Sequence, residues 1–106
     1  MANKKVVINA VLKKANEAVE DLYILGSTKN LGAWDVKKAV KMNKLEDGSF
    51  ELSKMLPEGE EVEFKILAAK EWSAVEKGIW NEEIENHKFV VAAGTKVSID
   101  VYNFAE

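Results

Sequence analysis

The sequence has no cysteine, one histidine and one proline in 106 residues. Without cysteine there can be no disulfide and no thiol chemistry, and the redox character of the compartment leaves no trace. His87 is the one histidine, so metal-ligand spacings of His and Cys are excluded and no metal or cofactor is expected. Serines are present, but none lies in a nucleophile-elbow motif, and there is no glycine-rich loop of the kind that cradles phosphates. No apolar run is long enough to span a bilayer, and the opening MANKKVVINAV lacks the long apolar core of a signal peptide. Read as a complete gene product, the chain belongs in the cytoplasm; read as a piece of a secreted enzyme, it belongs outside the cell. An excess of positive charge is also lacking. Fifteen Lys and Arg against 18 Asp and Glu give a net charge of −3, which argues against the basic face that nucleic acid requires.

What is present is an ordinary globular composition, 47% hydrophobic and 31% charged, without low-complexity tracts. A chain of 106 residues suffices for one core, so residues 1–106 are expected to form a single domain. KVVINAVL at 5–12 is rich in β-branched residues and reads as a first strand. Residues 10–22 allow two readings: a helix carrying Val11, Ala15, Ala18 and Leu22 on one face, or a loop leading to a second strand in LYILG. GSTKNLGAWD at 26–35 has the chemistry of a turn. KAVKM at 38–42 reads as a short strand, and Asp47-Gly48 signals a hairpin returning through SFELSKM. The lone proline opens the PEGEE turn, and EVEFKIL at 61–67 alternates cleanly, with Val62, Phe64 and Ile66 on one face and Glu63, Lys65 and Leu67 on the other. KFVVA at 88–92 and KVSIDVYNF near the end complete about seven or eight short strands, the pattern of an all-β, immunoglobulin-like antiparallel sandwich.

Between Ala68 and Asn86 the alternation stops, and Trp72 and Trp80 fall among charged and amide side chains. Trp34 stands in the upstream turn beside Asp35. Sugar rings offer apolar C–H faces that stack on aromatics, and hydroxyls that need paired donors and acceptors. Exposed tryptophans flanked by Lys, Asn, Asp or Glu therefore suit a carbohydrate. The plainer reading is packing, because tryptophan is mostly buried on average. For Trp34 the two readings stand level; the polar surroundings of Trp72 favour a ligand; Trp80 is expected to be exposed, which a loose loop alone would explain. Lys65 read by itself is a solvated lysine on the outer face of a sheet. A carboxylate pair for glycoside hydrolysis can always be drawn from 18 acidic residues, but most of them lie in turns that read as solvated surface, so no enzyme is expected.

LYILGSTKNLGAWDVKKAVKM resembles the opening of the starch-binding domains of carbohydrate-binding module family 20, where a strand ends in Gly-Ser or Gly-Asn before Leu-Gly-x-Trp and an Ala-Val-x-Met/Leu strand. LPEGEEVEFKIL resembles the family's Leu-Pro-x-Gly turn and its Tyr/Phe-Lys strand. WSAVEKGIWNEEIENHKFVV is similar to a bacterial variant with Trp-x-x-Val-Glu-Lys, Glu-Glu-Ile and Asn-Arg, with His87 standing where the arginine is often found. The resemblance covers residues 5 to 104. It implies a non-catalytic module whose partner is an α-glucan, with a catalytic domain of the same polypeptide as a further partner. It places Trp34, Lys65 and Asn86 in the main sugar site. The second stacking residue is Trp72 by motif, together with Glu76 as a hydroxyl acceptor, or Trp80 by its distance to Asn86. The resemblance also implies a loop over 15–21. The rival expectation is an accessory or protein-interaction sandwich with no sugar binding of its own.

Overall fold

The computed structural model describes residues 3–12, 21–78, 80 and 82–104. Ten ladder segments occur in these residues: β1 (Asn3–Leu12), β2 (Tyr23–Gly26), β3 (Val40–Lys41), β4 (Asn43–Lys44), β5 (Phe50–Pro57), β6 (Glu61–Leu67), β7 (Glu76–Lys77), β8 (His87–Val90), β9 (Lys96–Val101) and β10 (Asn103–Phe104). They form one sheet in the order β4-β5-β1-β9, a second in the order β3-β2-β6-β8, and a two-stranded ribbon β10-β7. The all-β sandwich expected from the alternating segments is present, and EVEFKIL is a strand over the expected residues. The loop expected over 15–21 lies outside the described residues except for Asp21, which has no regular structure.

Two features depart from the expectation. The strand KAVKM is not one strand: Val36–Lys38 form a 3-10 turn, Val40–Lys41 pair with β2, and Asn43–Lys44 pair with β5 in the other sheet. The chain changes sheets at Met42, which is buried and whose amide donates to the Leu22 carbonyl. One residue at a sandwich corner thus serves both layers. The second departure is that β9 lies parallel to β1, from Val7↔Lys96 to Leu12↔Val101, while the other ladders are antiparallel. A hairpin must be antiparallel, but nearly the whole chain separates these two strands, so no tight turn dictates their direction.

The core lies between the two four-stranded sheets. Val6, Ile8 and Ala10 of β1 and Phe50, Leu52 and Leu56 of β5 face Ile24 of β2 and Val62, Phe64 and Ile66 of β6, all buried. Each set sits at alternate positions, so the period of two that marks these strands is also what assembles the core. Leu67 breaks the expected polar character of the outer face. It is fully buried with Leu25 and Ala39 in a second, smaller cluster, against which Tyr23, Trp34, Val36 and Val75 pack. Residues 35–39 run back across the outer face of β2 and β6 and create this layer.

Candidate glycan-binding platform

Trp34 is positioned by an unusual turn. Gly32, Ala33 and Trp34 have φ of 92°, 48° and 63°, three successive residues in the left-handed region. That region disfavours side chains, and a bulky one above all. Gly32 meets the condition at the position where space is also shortest: a β-carbon there would lie 2.9 Å from Leu25 Cδ1 and from the Lys38 carbonyl oxygen. The turn is held by backbone bonds. The Ala33 amide donates to Thr28 O at 2.8 Å, Trp34 to Gly26 O at 3.0 Å and Asp35 to Gly32 O at 2.9 Å. Ser27 ties the turn to β6 twice, its amide donating to Glu63 O and its hydroxyl accepting from the Glu63 amide. The indole is thus set down, half-buried, on the Leu25–Ala39–Leu67 cluster.

Trp72 arrives from the other side. It opens a 3-10 turn, Trp72–Ala74, closed by the Ala68 amide on Ala74 O and by Val75 on Trp72 O. The residue is 46% exposed, and its ring lies 6.4 Å from that of Trp34 between centroids, with 28° between the planes. Trp34 and Trp72 are therefore neighbours with nearly parallel faces. Trp80 is not joined to them: among the described residues it makes no aromatic contact, and it is 84% exposed. Its amide donates to Glu82 Oε1 at 2.9 Å, within a turn where the Gly78 amide bonds the Glu82 carbonyl.

The polar residues lie along β6 and the segment before β8. Lys65 is partly buried and donates from Nζ to the Ile84 carbonyl at 2.9 Å, which anchors the 82–86 segment to the sheet. An ammonium has three protons, so two remain for other acceptors. Asn86 donates from Nδ2 to Glu63 Oε1 at 3.4 Å. Lys70 Nζ stands 5.9 Å from the centre of the Tyr23 ring, a cation–π approach beside the apolar cluster. Glu76 lies against His87. It is 3% exposed, and its Oε1 is 2.7 Å from His87 Nε2 rather than offered to a ligand.

Four residues of the arrangement were not singled out from the sequence. Glu63 and His87 act through partners far along the chain, and Leu25 and Leu67 form the apolar base. Leu67 carried a signal, as the one apolar residue on the Glu63–Lys65 face of β6. Among the described residues no three His, Cys, Asp or Glu gather into a set that could hold a metal ion.

A family model described as "Starch binding domain", CBM_20, matches residues 4–101. The chain belongs to the starch-binding domain family. The starch-binding match spans both tryptophans of the pair and the polar residues discussed above. No curated protein matches the sequence significantly. Among solved structures, the chain is similar to the family 20 module of the maltotetraose-forming amylase from Pseudomonas saccharophila STB07, with 22% identity, a TM-score of 0.67, and coverage of 91% of this chain and 98% of that one. It is also similar to part of the family 15 glucoamylase from Hypocrea jecorina, at 17% identity and a TM-score of 0.69, covering 100% of this chain and 18% of the glucoamylase. The γ-cyclodextrin glucanotransferase (gamma-CGTase) from alkalophilic Bacillus clarkii gives 20% identity and a TM-score of 0.66, with 98% of this chain and 15% of that enzyme covered. These likenesses show the sandwich fold of a starch-binding domain. In the glucoamylase and the glucanotransferase the aligned part is less than a fifth of the whole enzyme.

Proposed function

We propose that this starch-binding domain holds α-glucan chains of the starch and glycogen type without cleaving them, on a platform made by Trp34 and Trp72. The observation that carries the reading is the pair itself: two indoles nearly parallel at 6.4 Å, one seated on a buried cluster and the other 46% exposed. Stacked aromatics are large rigid surfaces that lose little entropy on binding, which suits the flat faces of successive glucose units. Lys65 donates to hydroxyls with its two remaining protons, and Asn86 contributes from the same edge. Glu76 drops out of the contact set because it is buried against His87. Trp80 is left as a separate exposed ring.

Titration with maltoheptaose or β-cyclodextrin, followed by tryptophan fluorescence, tests the reading. Saturation at or below millimolar ligand is expected, and no change there would overturn it. Trp34→Ala and Trp72→Ala should each weaken binding at least about tenfold, a loss of ~1.4 kcal/mol, whereas Trp80→Ala should stay within about twofold. A larger loss from Trp80→Ala than from Trp72→Ala would reassign the platform.

A single weak site gains most when it is tethered, because the linker sets an effective concentration. The small share of the glucoamylase and glucanotransferase chains that aligns supports a role as the accessory module of a glycan-active catalytic domain. Trp80, with its ring almost wholly exposed, is the residue best placed to meet a protein surface. Retention on insoluble starch by the isolated chain separates the glucan role from a purely accessory one.

A further inference from the structure

The Glu76–His87 pair takes no part in the platform proposed above, yet it lies between the two segments that carry it. Trp72 leads directly into β7, and Asn86 leads directly into β8. Among the described residues β7 and β8 share no sheet: β7 pairs with β10 and is approached by the Leu67↔Val75 bridge, whereas β8 pairs with β6. The bond between Glu76 Oε1 and His87 Nε2, at 2.7 Å, joins them. Glu76 is 3% exposed, and the His87 side chain is 20% exposed with its ring tilted on Phe64 at 5.1 Å. Phe64 belongs to the buried core. The carboxylate is therefore linked, through a ring packed on Phe64, to the centre of the sandwich.

We propose that Glu76 and His87 are positioning residues: a buried clamp that fixes the Trp72 turn relative to Trp34 and to the Lys65–Asn86 edge. The physical basis is asymmetric. The bond itself contributes modestly, but a carboxylate left in the interior without a donor is costly, so loss of the imidazole drives Glu76 toward water. A cavity of about 340 Å³, which the pair lines together with Lys77, Glu82, Glu85, Asp100 and Tyr102, gives it somewhere to go. Movement of Glu76 carries β7, and with it the turn that holds Trp72 four residues upstream. The effect of the clamp on affinity rests on the glucan reading; its effect on the geometry of the two indoles does not.

The test compares variants of equal bulk that differ in the donor. His87→Gln keeps an N–H for Glu76, and His87→Met removes it. The readouts are the circular-dichroism couplet expected from two adjacent indoles, the maltoheptaose affinity and the thermal midpoint. His87→Gln should stay near the parent in all three. His87→Met should lose more than about half the couplet and about tenfold in affinity. Should His87→Met fail to fold, the double variant Glu76→Met/His87→Met removes the buried charge along with the donor, and apolar replacement of a buried pair is tolerated. Flexible methionine side chains fill space without fixing a position, so the double variant should melt near the parent and still lose couplet and affinity. A parental couplet in His87→Met or in the double variant overturns the clamp, as does equal loss from Gln and Met. If the parent shows the couplet but retains no maltoheptaose, the glucan reading fails and the couplet alone decides the clamp.

Discussion

The left-handed run at Gly32, Ala33 and Trp34 stores strain where the platform begins, and Ala33 is where it can be released. At a φ of 48° an alanine side chain costs roughly 1 kcal/mol that glycine does not. Ala33→Gly is expected to stabilise the fold by up to about 1 kcal/mol, less the greater entropy of an unfolded glycine, as read from urea unfolding. Gly32→Ala should destabilise by more than that, because its new β-carbon meets Leu25 and the Lys38 carbonyl at 2.9 Å. A Gly32→Ala variant as stable as the parent would show that this turn is not rigidly held. At this scale the sequence is partly legible. The Trp-x-x-Val-Glu-Lys motif points to Trp72, the ring found beside Trp34, while distance to Asn86 points to Trp80, which is exposed as expected. The inward turn of Glu76 was not legible, since its partner lies 11 residues away on a strand that β7 does not adjoin.

The element behind the platform is a sheet face. Leu67 sits at the end of an alternating strand, on the side that Glu63 and Lys65 mark as polar, and the return of residues 35–39 over that face, with Trp34 and Val75, buries it. Leu67→Ala should cost about 2–5 kcal/mol in chemical unfolding, as for other buried leucines. It should also weaken glucan binding, because Trp34 rests on the same cluster. The Asp47-Gly48 hairpin makes a separate prediction. The Ser49 hydroxyl and then the Ser49 amide donate to Asp47 Oδ1, at 2.6 Å and 2.9 Å, and hold the carboxyl below the usual carboxylate range. Because the folded value is depressed, this stabilisation is present above the unfolded value and fades as pH falls through the folded one. The Ser49 amide resonance should titrate with a midpoint below that of an unstructured aspartate, and Ser49→Ala should move the Asp47 midpoint upward. Elements of four or more residues were legible because alternation needs that length to show. The two-residue ladders β3, β4, β7 and β10 carry no period of their own, and the change of sheet at Met42 depends on what each neighbour offers.

Across the whole molecule, both faces of the β2–β6 pair are covered at one place, the core on the inner side and the Leu25–Ala39–Leu67 cluster on the outer. Family membership was legible from the order of three motifs, as was the sandwich. The parallel pairing of β1 with β9 was not, because strand direction across a long connection leaves no mark in the residues. Glucose is uncharged, so affinity should be nearly unchanged between low and physiological salt, in contrast to ligands held by surface ion pairs. A steep salt dependence would point to a charged ligand instead. The turn carrying Trp34 has one more consequence, in time rather than in space. Surface loops ordinarily open on their own, far more often than the fold unravels. Here the amides of Ala33 and Trp34 are bonded back to Thr28 and Gly26, and the indole above them is anchored in a buried cluster. In deuterated water these two protons should persist nearly as long as those in the middle of β6. Recognition would then need no folding step of its own: the surface that meets the ligand would stay intact until the protein itself unfolds.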